Sequence, residues 1–211
     1  MNYLSKQIRR LFFKKSVRRL HQKNFCIIAN NCLGSKIYQI LKIQYNTPFI
    51  GLFIKPDCFV KLAINFEHYI RQPLRFSERS KYEKYNSNEQ SRTPYPLGLL
   101  DDVEIHFLHY NNEDIAATKW RERCSRIDKD RLYFTMVADE TADPKTIIKY
   151  LQEVKAPRVC LHNKRNLLLP GSVYIPPING KMGNLYSKYE RLVGYFNFAN
   201  WILKDKSSID E

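Results

Sequence analysis

Six short apolar runs punctuate the chain, at residues 25–30, 49–54, 103–109, 132–137, 158–161 and 172–175. All are of strand length, and most are continuous rather than alternating, as in strands buried on both faces. Between them the apolar positions change period. Ile37, Tyr38, Ile40 and Leu41 predict a short helix over 35–42, with Ser35 in its first turn. Pro56 opens a second helix whose stripe is Phe59, Ala63, Phe66 and Ile70. Ala116, Trp120, Cys124 and Ile127 mark a third over 113–127. Residues 144–151 form a fourth, with Asp143 as its N-cap, and residues 188–203 a closing helix rich in aromatics. In the run at 103–109, Val103, Ile105, Phe107 and His109 point one way, and Glu104, His106 and Leu108 the other.

Strands alternating with helices predict a single α/β domain over residues 24–203, with helices on both faces of a mainly parallel sheet. Residues 77–94 contain no aliphatic side chain. They read as a mobile loop, either a lid or a disordered connection. Asp101 and Asp102 read as turn residues before the third run, and residues 204–211 as a polar tail.

The first 23 residues stand apart. They carry eight basic side chains and no acidic one, more than half of the formal excess of +14. Leu4, Ile8, Leu11 and Phe12 share one helical face; Phe13, Val17 and Leu20 share another, nearly opposite. Three readings stand open: a peripheral anchor on an anionic membrane surface, a helix packed on the domain with its charges solvated, and a phosphate-binding arm for nucleic acid. No motif for specific nucleic-acid recognition is present. No apolar run approaches the roughly 20 residues that span a bilayer, and no secretory signal is visible. The five cysteines are odd in number, widely spaced and without a Cys-x-x-Cys pair. They read as free thiols of a cytoplasmic protein.

Ligands of open parallel sheets bind beyond the carboxyl ends of the strands. That rule selects Asn30, Asn31 and Cys32 after the first run, His109 and Tyr110 after the third, Asp139 after the fourth and His162 after the fifth. Asn30, Asn31, Gly34 and Ser35 would either hold a phosphate at a helix N-terminus or build a tight strand-to-helix turn. The loop is neither G-x-G-x-x-G nor a Walker sequence. Cys32 is a candidate nucleophile with His109 as its base, or a small buried side chain. Arg123 would clamp a phosphate or carboxylate, or lie on a solvated helix face. His106 and His109 point to opposite faces of a strand, so no metal site is expected of them.

Ile28-Ala29-Asn30-Asn31-Cys32-Leu33-Gly34-Ser35-Lys36-Ile37-Tyr38 resembles the opening of the domain-of-unknown-function family 1919. The segments 46–54, 95–98 and 102–110, then Lys119-Trp120, Arg123 and Arg126-Ile127, continue the match in order. The resemblance covers residues 25–203. It implies a three-layer α/β/α fold and a place in exopolysaccharide biosynthesis, and it brings no catalytic residues with it. The expectation is a cytoplasmic enzyme, peripheral at the inner membrane face, that transfers a glycosyl or acyl group from or to a sugar nucleotide or lipid-linked sugar. His109 would be the general base, Asp139 would orient it or the acceptor, and Asn30, Asn31 and Gly34 would hold the ligand. The alternative is a non-catalytic glycan- or partner-binding module. The sequence names no cofactor and no oligomeric state.

Overall fold

The computed structural model describes residues 3–86 and 93–204; residues 1–2, the centre of the polar segment at 87–92 and the tail at 205–211 lie outside the described residues. In chain order, α1 (Tyr3–Leu20) is followed by β1 (Cys26–Ala29), α2 (Leu33–Leu41), α3 (Pro56–Ile64) and α4 (Phe66–Arg71). A small hairpin unit comes next: β2 (Arg75–Ser77), β3 (Leu97–Leu100) and β4 (Val103–His106). Then α5 (Glu113–Cys124), β5 (Leu132–Ala138), α6 (Pro144–Glu153), β6 (Arg158–His162), β7 (Ser172–Tyr174), α7 (Tyr189–Val193) and α8 (Phe198–Lys204) complete the fold.

The fold is α/β. Strands β1, β5, β6 and β7 form a parallel sheet in that order. Alternate strand residues feed opposite cores. Cys26, Ile28, Phe134, Met136 and Cys160 pack with α3, α4, α5 and α6 on one face. Ile27, Ala29 and Tyr133 pack with α1, α2 and α8 on the other. Both faces are therefore covered, which is why these strands read as continuous apolar runs. The cap expected at Asp143 forms, Asn112 supplies a further one, and Ser35 lies in the first turn of α2 without capping it. Asn112 accepts from the Ile115 N–H, Asp143 from the Lys145 N–H, and Pro56 and Pro144 occupy first turns.

Three expectations change. Residues 49–54 are apolar and of strand length, yet they do not form a strand. Gly51 sits at φ +71°, a bend that extended pairing cannot accommodate. The pairing of this run is limited to an antiparallel bridge between Phe53 and His106, the Ile54 N–H donating to Asn30 O at 2.8 Å, and Gly51 O accepting from the His109 N–H at 3.1 Å. The run at 103–109 is not part of the parallel sheet. It pairs antiparallel with β3 through a turn at Asp101 (φ +55°) and Asp102. The single helices expected after Pro56 and at 188–203 each divide in two, the first at Asn65 and the second between Val193 and Phe198.

Gly34 illustrates how tightly α2 lies on β1. A Cβ there would stand 2.7 Å from Ala29 Cβ and 3.3 Å from Ile27 Cγ2. Alanine normally stabilises a helix by about 1 kcal/mol relative to glycine. Here Gly34→Ala is expected to destabilise the protein by about 1–2 kcal/mol, because the helix must lift off the strand. A lower urea midpoint checks this, and a raised one contradicts the packing.

Candidate functional site

The two sheets are joined at one place. Phe53 exchanges both backbone hydrogen bonds with His106, each 2.8 Å, and Ile54 reaches across to Asn30 at the end of β1. β1 is thus flanked by Ile54 on one side and β5 on the other, reached over opposite faces of the sheet. This is the reversal point where open α/β sheets form their crevice. The Phe53–Ile54 segment thus lies between β4 and the carboxyl end of β1.

Glu104 and His106 stand two residues apart on β4 and share its non-core face. Both are buried, and Glu104 is the only buried carboxylate among the described residues. Its Oε2 accepts from Ser80 Oγ at 2.7 Å and its Oε1 from the Lys81 N–H at 2.7 Å. His106 Nδ1 lies 3.2 Å from the Tyr95 hydroxyl. Its Nε2 is 3.6 Å from Glu104 Oε2, just beyond hydrogen-bond reach, and has no partner. The imidazole is walled by Phe53, Tyr85 and Tyr95, with ring centroids 5.8, 4.7 and 5.6 Å away. Tyr82 continues the wall. Lys55 Nζ and Lys81 Nζ lie over its ring at 4.6 and 5.4 Å, and Lys55 is paired with Asp57. Tyr82 and Tyr85 come from the polar segment 77–94, Tyr95 follows it, and Glu104 ties the start of that segment to the sheet.

Burial lowers the His106 pKa to about 4, against the opposing pull of the Glu104 carboxylate. The ring is neutral at physiological pH. Burial likewise raises the Tyr95 hydroxyl to about 12. A histidine with a depressed folded pKa makes stability fall with pH. Below its unfolded value of about 6.5 the unfolded chain takes up a proton that the folded chain refuses, until the folded value is reached. Between pH 6.5 and 4 the protein is expected to lose about 3 kcal/mol through this residue. His162, lowered by burial and by Lys164, adds to the same trend. His106→Gln should flatten the slope; identical slopes in urea unfolding across that window would contradict the assignment.

The side chains expected to bind ligand are largely engaged within the protein. The Asn30 amide donates to Val137 O at 3.0 Å and to Ile54 O at 3.4 Å and accepts from the Val137 N–H at 2.8 Å. Asn31 Oδ1 accepts from the Leu33 N–H, and Ser35 Oγ donates to Cys32 O. Gly34 is needed for helix-on-strand packing. Burial raises the Cys32 thiol, the direction opposite to that of an activated nucleophile. Asp139 accepts from Thr141 N–H and Oγ1 in an exposed turn. His109 is exposed and lies with Tyr110 beside Gly51. The Tyr110 hydroxyl donates to Ile50 O and accepts from Arg123 at 2.6 Å, and Arg123 also covers the Tyr45 ring. His162 is buried at the end of β6. Its Nδ1 accepts from the Lys164 N–H, and its Nε2 is unpartnered.

The sequence is expected to carry no Asp-x-Asp metal motif for a sugar nucleotide; a pair with that spacing is nevertheless present at Asp128-Lys129-Asp130. It lies before β5, at the amino end of the sheet, where Asp128 Oδ1 accepts from the Asp130 N–H. Among the described residues no three His, Cys, Asp or Glu side chains are grouped to hold a metal ion. The pair singled out here, Glu104 with His106, was visible only as two polar residues on one face of a strand.

The order of these elements has counterparts. The family described as "Domain of unknown function (DUF1919)" matches residues 3–203. The chain belongs to that family. The match takes in α1 as well as the α/β domain, so the basic helix is part of the DUF1919 unit. An uncharacterized protein of Haemophilus influenzae is 28% identical over 193 residues, covering 91% of this chain and 84% of that protein. Among the described residues of the DUF1919 chain, no helix is long and apolar enough to cross a membrane.

Proposed function

We propose that the DUF1919 chain is a cytoplasmic enzyme of cell-surface or exopolysaccharide assembly that transfers a group between a sugar nucleotide, or lipid-linked sugar, and an acceptor hydroxyl. The observation that carries the reading is the enclosed, unpartnered Nε2 of a neutral His106, 3.6 Å from the Glu104 carboxylate and close to the Lys55–Tyr82–Lys81 stack. In this reading the segment at residues 80–86 lifts to admit substrate. His106 Nε2 takes the proton of the acceptor hydroxyl as its oxygen attacks the transferred carbon. Glu104 then closes on the imidazolium and stabilises it. The departing phosphate carries away the bond's electron pair and meets Lys55 and Lys81. Tyr82, Tyr85 and Tyr95 offer ring faces on which a sugar can stack.

The mutual satisfaction of Glu104, Ser80 and Lys81 favours a second reading, a non-catalytic glycan-binding module closed by the same segment. A thermal-shift panel of UDP-, GDP- and CMP-sugars, acetyl-coenzyme A and free oligosaccharides separates them. The enzyme reading expects stabilisation by a nucleotide-bearing compound, lost in Lys55→Ala. Stabilisation by oligosaccharide alone supports the binding module. No shift with any compound, in folded protein, counts against both.

A further inference from the structure

We propose that the outward face of α1 docks the protein on an anionic phospholipid bilayer. The helix carries two apolar faces, and the fold uses only one. Phe13 and Leu20 are buried, with Phe13 meeting Phe198 edge-on at 5.2 Å. The opposite face is left in water. Phe12 is 64% exposed, Leu11 67% and Ile8 45%. Helical spacing puts Lys15, Arg18 and Arg19 on that same side, and none of the three has an ion-pair partner among the described residues. The helix contains no acidic residue.

A merely solvated helix has no use for adjacent leucine and phenylalanine at exposed positions. A bilayer interface uses both parts. The apolar side chains enter the headgroup–acyl boundary, and the basic ones extend toward lipid phosphates. Next to the packed face, a groove of about 410 Å³ between α1 and α7 is lined by Phe13, Val17 and Ile40, with Lys14, Arg18 and the Arg10–Glu190 pair along it. It sets cationic groups above an apolar cleft, the same pairing that a phospholipid presents in reverse. The apolar face is what selects a bilayer over a nucleic acid, whose phosphates would use the charges alone.

The test is co-sedimentation of the full-length chain with vesicles of phosphatidylcholine alone or mixed with phosphatidylglycerol. Binding is expected only to the anionic vesicles and is expected to weaken in high salt. Leu11→Ser with Phe12→Ser should lower partitioning about ten-fold or more while leaving the melting temperature unchanged, because both side chains are already exposed. Lys15→Glu with Arg19→Glu should abolish it. Four results would overturn the proposal: no retention on anionic vesicles, equal retention of the double serine variant, duplex DNA binding as tight as vesicle binding and insensitive to that variant, or a wild-type dimer that the variant converts to monomer.

Discussion

Glu104→Ala is expected to destabilise the protein by about 3 kcal/mol, since it leaves two buried donors, Ser80 Oγ and the Lys81 N–H, without their acceptor. For a chain of this size that corresponds to a fall of roughly 6–12 °C in melting temperature. The loss should also have a location. Glu104 is what holds the start of the 77–94 segment to β4, through Ser80 and the Lys81 backbone, and the Ser80 hydroxyl in turn accepts from the Tyr82 N–H at 3.0 Å. Limited proteolysis should therefore cut between Ser77 and Asn86 in the variant, under conditions in which that stretch of the wild type resists. Glu104→Gln keeps one acceptor and should fall between the two. If Glu104→Ala melts with the wild type and cuts elsewhere, the carboxylate does not organise this segment.

The second large effect is at Asn30. Its side chain continues β1 by other means, bonding both the N–H and the carbonyl of Val137 on the neighbouring strand while also reaching Ile54. Asn30→Ala should cost about 3 kcal/mol, because the Val137 N–H and carbonyl of β5 and the Ile54 carbonyl lose their partner. Asn30→Asp is the sharper variant. It keeps the acceptor for the Val137 N–H but turns a donor into a second acceptor facing two carbonyls, so it should be no better than alanine at neutral pH. Denaturant midpoints for the pair check this. A ligand-binding asparagine would instead tolerate both changes and lose only affinity.

Asn30 also shows how far the sequence could be read. The parallel core was legible because β1, β5 and β6 are buried on both faces and carry uninterrupted apolar runs. Helix starts were legible because Asp143, Pro56 and Pro144 act locally. Polar residues at strand ends were legible as positions but not as roles. Asn30, Asn31 and Asp139 bond to the backbone, which from sequence alone looks the same as facing a ligand. The stretch 49–54 misled because its composition is that of a strand while Gly51 imposes a bend. Most hidden was what covers Glu104 and His106. Their shared face followed from alternation, but Ser80, Tyr82, Tyr85 and Tyr95 lie in a segment without aliphatic residues, where packing leaves no periodic trace. Three tyrosines within that polar stretch were the available signal. The two faces of α1 were equally visible in the sequence, and only the packing against α8 decides which of them meets solvent.

The claim that ligand binds at Glu104 and His106 is tested most directly by following the histidine ring resonances of the full-length chain during titration with UDP-, GDP- and CMP-sugars and acetyl-coenzyme A. The account predicts that one of these compounds perturbs the His106 ring, that the exposed His109 ring does not respond, and that Lys55→Ala abolishes the change. Saturable binding that leaves His106 unmoved while shifting His109 or His162 would contradict it and place the site elsewhere along the strand ends.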